Sequence, residues 1–213
     1  MIHLYHCVDA RSFRPLWALE ELGLTYDLTV MPFPPRVRQR EYLAVNPLGT
    51  IPALVDGATF MTESAAIVQY LVARYGPSPL AVAPDDPAYG AWLNWLHFGE
   101  ATLTFPQTLV LRYRTLEPGR APQAADDYAR WFLARLRAVD RALQDDPHLC
   151  AGRFTAADIS VGYALLLAGQ LKLDAGFTPA VAAYWSRLQE RPGFQAAKAA
   201  QAARAPAADA SPF

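Results

Sequence analysis

The residues of this chain whose types and spacing can do chemistry are Asn46-Pro47-Leu48-Gly49-Thr50-Ile51-Pro52-Ala53-Leu54, followed nine residues later by Glu63-Ser64. The first group reads as a sharp turn with a proline leading a strand. The second reads as an acidic-hydroxyl pair opening a helix. The first amides of a helix have no intrahelical acceptor and lie at the positive end of its dipole, so they bind anions. An open backbone edge beside such a helix end suits an extended peptide that carries a carboxylate. Ser64 would also serve as a plain helix cap, and the two roles are compatible.

Other chemistries find less support. A redox centre wants a low-pKa cysteine at a helix start with a partner two residues away; Cys7 falls at a strand end without one and reads as a buried small hydrophobe. His3, His6, His97 and His148 have no metal-ligand spacing, and no phosphate-loop or dinucleotide fingerprint occurs, so no metal is expected.

The elements that must position these residues alternate through the first third. Strand patterns cover residues 2–7 and 26–30, with a polar loop at 8–11 and a helical run at 12–22 closed by Gly23. Pro32, Pro34 and Pro35 argue against regular structure, and a short helix fits residues 39–45. Asp56-Gly57 is a hairpin turn between strands at 53–55 and 58–61, and a helix fits residues 64–75. Residues 79–85, within a proline-rich stretch, read as a linker. Beyond it the strand signals stop. A long aromatic helix opens at Asp86-Pro87 and should kink or split at Pro106. Tyr128, Phe132, Leu136, Val139 and Leu143 step along one face of the next helix. Thr155 and Asp158 form a capping-box pattern, Thr178-Pro179 opens a further helix, and Arg191-Pro192-Gly193 closes it. The tail at 201–213 reads as fraying.

With 213 residues, 53% of them hydrophobic and 18% charged, the chain can bury a sizeable core in one large domain or two small ones. A formal net charge of −1 gives no reason to expect nucleic acid or an anionic membrane as partner. Two distant cysteines, no secretory pattern and no membrane-length apolar run lead to the expectation of a cytoplasmic protein.

Taken together, residues 14–23 with Leu19-Glu20-Glu21-Leu22-Gly23, residues 46–54, Glu63-Ser64-Ala65-Ala66-Ile67, Phe154-Thr155-Ala156-Ala157-Asp158-Ile159 and residues 185–194 resemble the glutathione S-transferase superfamily over nearly the whole chain. The resemblance implies an α/β, thioredoxin-like glutathione-binding domain at 1–78 and an all-α helical domain at 86–205 lining the electrophile site. It further implies a homodimer that uses glutathione as co-substrate, with a cis Ile51–Pro52 bond that turns the Ile51 N–H and C=O toward the peptide. Ser64 would take the γ-glutamyl carboxylate and Glu63 the α-amino group. Arg38 and Gln39, on the loop with Arg36 and Arg40, would meet the glycine carboxylate.

Activation of the thiol is less defined. A free thiol titrates near ~8.5, and lowering that by about two units takes roughly 2.7 kcal/mol of preferential thiolate stabilisation. A hydroxyl or guanidinium beside the first helix's N-terminus can supply it. Ser12 is the hydroxyl of that loop, but it falls later than the serine used by several classes, whose place is nearer Asp9 or Ala10; Arg11 is the alternative donor. Trp95, Phe98, Thr102, Phe105 and Tyr113 would form the electrophile surface, with Arg112 stabilising developing negative charge, although such residues also serve as helical core or dimer interface. The expected activity is conjugation of the glutathione thiolate to a hydrophobic electrophile. Isomerase, peroxidase or disulfide-bond reductase chemistry on the same fold, or a non-catalytic interaction protein, are the alternatives.

Overall fold

The computed structural model describes residues 1–205. The chain divides into two compact units: residues 1–78 with 190–205, and residues 79–189.

The first unit opens with β1 (Ile2–His6), α1 (Phe13–Glu21) and β2 (Tyr26–Val30). β1 and β2 are parallel with Ile2 opposite Tyr26 and His6 opposite Val30, and α1 makes the crossover that parallel pairing requires. α2 (Pro35–Arg38) and a 3-10 turn at Arg40–Ala44 follow. The proline cluster therefore does not exclude regular structure: Pro35 opens α2, where its missing N–H costs no helical bond. β3 (Ala53–Asp56) and β4 (Thr59–Met61) form the expected hairpin, and α3 (Ser64–Arg74) closes this part. Sheet order is β2-β1-β3-β4, with β3 antiparallel to β1. That antiparallel pairing places the end of β1 and the start of β3 at one end of the sheet.

The second unit is helical. Residues 79–85 do not hang free as a linker: Leu80 and Val82 are buried, and the Leu80 carbonyl accepts from the Ala156 N–H at 2.9 Å. α4 (Tyr89–His97) runs into a π-wound stretch at Phe98–Thr104, then α5 (Phe105–Leu111) and a second π stretch at Arg112–Leu116. Pro106 sits in the first turn of α5, where the winding returns from π to α without a break in the helical backbone. In the π stretch the Thr104 hydroxyl donates to the Gly99 carbonyl at 2.7 Å. Gly99 is required by packing, since a Cβ there would lie 2.6 Å from Ser160 backbone atoms. α6 (Pro122–Ala142) buries Phe132, Leu136 and Val139, the middle of the expected stripe. α7 (Ala156–Gln170) is the buried centre of the unit and starts with the capping box of Thr155 and Asp158. α8 (Pro179–Gln189) completes the unit.

The chain then returns to the first unit through α9 (Pro192–Arg204). Phe194 packs edge-on against Phe13 at 5.3 Å and Trp17 at 5.0 Å, and Arg191 holds Glu21 through two hydrogen bonds of 2.8 Å. Two sequence expectations change here. Residues 190–205 belong with the first unit rather than the helical one, and residues 201–204 are helical instead of frayed, with Gln201 buried. Residues 206–213 of that tail lie outside the described residues.

Candidate functional site

Residues 46–54 form a rigid turn. The Asn46 side chain, 2% exposed, donates to the Thr50 carbonyl at 2.9 Å and accepts from the Leu48 N–H at 3.1 Å. Tyr42 donates to the same carbonyl at 2.7 Å, and burial pushes its phenol up to about 12. Gly49 takes φ +61°, and a Cβ there would meet the Arg36 Cβ at 2.5 Å, so the position needs glycine on both counts. The Ile51–Pro52 bond that follows is cis and leads into β3.

Ser64 is the first residue of α3, and the cap position belongs to Glu63. The first helical bond runs from the Ile67 N–H to the Glu63 carbonyl, so the amides of Ser64, Ala65 and Ala66 precede it. Ser64 is 2% exposed and does not cap the helix; its hydroxyl accepts from Arg14 Nη1 at 3.1 Å. Arg14, in α1, is fully buried. It thus adds a positive charge behind the positive end of the α3 dipole, and both favour an anion in front of Ser64. Sequence reasoning did not assign Arg14 a role. The available signal was a charge inside Phe13-Arg14-Pro15-Leu16-Trp17, a run whose every member is buried.

The loop from Cys7 to Ser12 borders this region. Cys7, Ile51, Ala53, Met31 and Tyr42 share one buried cluster, with Ala10 packed on it. Ser12, the expected thiol donor, lies inside the loop. It has no exposure, its Oγ accepts from the Cys7 N–H at 3.2 Å and it donates to the Cys7 carbonyl at 3.4 Å. A hydroxyl enclosed and engaged in this way shapes the loop. It also makes no side-chain cap to α1. Arg11 is half-buried on the same loop. Asp9 has φ +51°, and its carboxylate receives two hydrogen bonds from Lys198 at 2.8 Å and one from Gln201 at 2.6 Å. Lys198 and Gln201 escaped sequence reasoning, because nothing in an alanine-rich stretch 189 and 192 residues away marks them as partners of Asp9.

Of the residues expected at the glycine carboxylate, Arg38 ends α2 and is exposed, and Gln39 follows half-buried. Glu63 is exposed. In the helical unit Trp92, Leu96, Leu103, Gln107 and Val110 are buried, whereas Trp95, Phe98, Thr102 and Tyr113 are only partly covered and Phe105 is 56% exposed. The predicted electrophile surface therefore lies off the helical core, with Trp95 and Phe98 packed edge to face at 5.0 Å. Arg112, expected to stabilise developing negative charge, lies at the surface. Its side chain is 50% exposed and bound to Glu117 at 2.8 Å, which places its charge in a surface ion pair.

Comparison with known proteins agrees with this geometry. The family model for the glutathione S-transferase N-terminal domain matches residues 4–79. Glutathione S-transferase 3 of Schizosaccharomyces pombe is 30% identical over 74% of this chain and 70% of its own length. Glutathione S-transferase GstA of Escherichia coli O157:H7 is 30% identical over 76% of this chain and 78% of its own. The crystal structure of glutathione transferase URE2P6 from Phanerochaete chrysosporium, in complex with oxidized glutathione, superposes with a TM-score of 0.83 at 29% identity, covering 96% of this chain and 97% of that one. The mixed four-stranded sheet is accordingly a thioredoxin-like domain joined to a helical one, and the chain belongs to the glutathione S-transferase superfamily.

Proposed function

We propose that the chain binds glutathione on its first unit and transfers the thiolate to a hydrophobic electrophile. The observation that carries this reading is the convergence of three features at one end of the sheet: the Ile51 backbone, the α3 N-terminus with Ser64 backed by Arg14, and the Cys7–Ser12 loop. Glutathione laid along the Ile51 edge as an added strand would bring its γ-glutamyl carboxylate to the Ser64–Ala66 amides and hydroxyl, with Glu63 near the α-amino group. The ligand's cysteine then lies over the loop, where Arg11 is the cationic donor to the sulfur. Gln39 and Arg38 would hold the glycine carboxylate. Trp95, Phe98, Thr102, Phe105 and Tyr113 supply the apolar surface for the electrophile. Catalysis in this reading consists of holding a stabilised thiolate close to its target. The protein would act as a cytoplasmic homodimer in detoxification.

Retention on immobilised glutathione together with turnover of a chloronitrobenzene is the expected result. Binding without turnover of any thiol acceptor, peroxide or mixed disulfide would make the chain a glutathione-binding module. Failure to bind at all would refute the reading.

A further inference from the structure

α9 reaches the loop of the proposed thiol site through a small polar network. Lys198 Nζ lies 2.8 Å from each oxygen of Asp9, and Gln201 Nε2 lies 2.6 Å from Oδ1. The same amide accepts from the Asp9 N–H through Oε1 at 3.1 Å. That orientation leaves Oε1 facing His6 Nε2 at 2.9 Å, so the proton of the ring sits on Nε2. His6 is fully buried, and desolvation lowers it to about 4, which keeps it neutral. Asp9 holds a left-handed conformation that aspartate tolerates better than most residues. Its backbone and carboxylate are thus both fixed from a helix almost two hundred residues later.

The loop so fixed borders Ile51 and continues into Arg11 and Ser12. A carboxylate on such a loop opposes a second negative charge, the thiolate, unless it is compensated. We propose that Lys198 and Gln201 are positioning residues of the thiol site, which clamp Asp9 and cancel its charge beside the glutathione sulfur. This rests on the glutathione-binding reading above. His6 on β1 feels the Asp9 charge, and Arg11 lies two residues further along the loop. Cys7 and Tyr42 belong to the buried cluster on which Tyr5 and Ala10 pack. Lys198 contacts the Asp9 carboxylate directly through both oxygens.

The test uses full-length protein carrying Lys198→Met, Lys198→Arg, or Lys198→Met with Asp9→Asn. Glutathione affinity is measured by calorimetry, and the bound thiol is titrated by its thiolate ultraviolet absorbance alongside the pH profile of kcat/KM. Lys198→Met should still bind glutathione, with the thiol titrating about one pH unit higher, or roughly tenfold less thiolate on the acid side of its titration. The acid limb of kcat/KM should move with it. Lys198→Arg should return to the wild-type profile, and so should the double variant, in which the carboxylate is replaced by a neutral amide. An unchanged titration in Lys198→Met, even with lower thermal stability, would make the bridge purely structural and overturn the proposal. A double variant as impaired as Lys198→Met would also overturn it, because loop geometry and not charge would then be responsible. Wild-type protein that does not bind glutathione would sink the underlying reading first, before any substitution is compared.

Discussion

Replacing Ser64 by alanine tests the anion site at its centre. The Ser64 hydroxyl accepts from Arg14 Nη1 at 3.1 Å, so its own proton is directed to a different acceptor. In the proposed complex that acceptor is the γ-glutamyl carboxylate. A hydrogen bond to a charged partner is worth about 1.5–3 kcal/mol, and 1.4 kcal/mol is a factor of ten in affinity, so Ser64→Ala should weaken glutathione binding roughly 10- to 150-fold. The substitution also leaves a buried guanidinium N–H facing a methyl group. If that costs about 1.5 kcal/mol, the melting temperature falls by roughly 3–6 °C for a chain of this size. Calorimetry with glutathione and with cysteinylglycine separates the two effects, since the dipeptide lacks the γ-glutamyl carboxylate. Its affinity should change little on substitution. Glutathione binding within twofold of wild type, or equal weakening of both ligands, would refute the assignment of Ser64.

Two further outcomes follow from buried groups. His6 is held near pKa 4 against an ordinary 6.5, so below pH 6.5 the unfolded state takes up the proton that the folded state refuses. Stability should therefore fall on acidification between these values, by up to about 1.4 kcal/mol per pH unit. Urea denaturation at pH 7 and pH 5 reads this, and His6→Asn should remove most of the difference. Asp158 accepts from the Thr155 N–H and the Tyr184 hydroxyl, each at 2.8 Å, and from the Leu149 N–H. Asp158→Ala leaves these buried donors unmatched, at about 1–3 kcal/mol for each, and should abolish cooperative unfolding of the helical unit in urea.

Local signals carried much of the fold. The strands at Tyr26–Val30 and around Asp56-Gly57, the helix at Ser64 and the capping box at Thr155 are all written in residues close together in the chain. The site was legible where it is also local, as in the turn of Asn46, Gly49 and Pro52. It was not legible where a side chain's orientation is set from elsewhere. Ser12 looks like a free loop hydroxyl until the Cys7 backbone claims it. Arg14 looks like a surface charge until α1 is enclosed, with α3 and α9 packed against it. Gln201 opens the tail whose alanine and proline content suggested fraying, Lys198 lies just before it, and only the return of α9 gives them partners.

The return of α9 also bears on how the protein is made. Residues 1–78 emerge from the ribosome first and contain the whole sheet. Yet Phe13 and Trp17 are covered by Phe194, and the Asp9 loop is held by Lys198 and Gln201. During synthesis the Asp9 loop must therefore wait, unclamped, while more than a hundred residues of the helical unit are translated. The first unit to begin folding is the last to be finished, and a nascent chain halted before α9 would present an aromatic face to the cell.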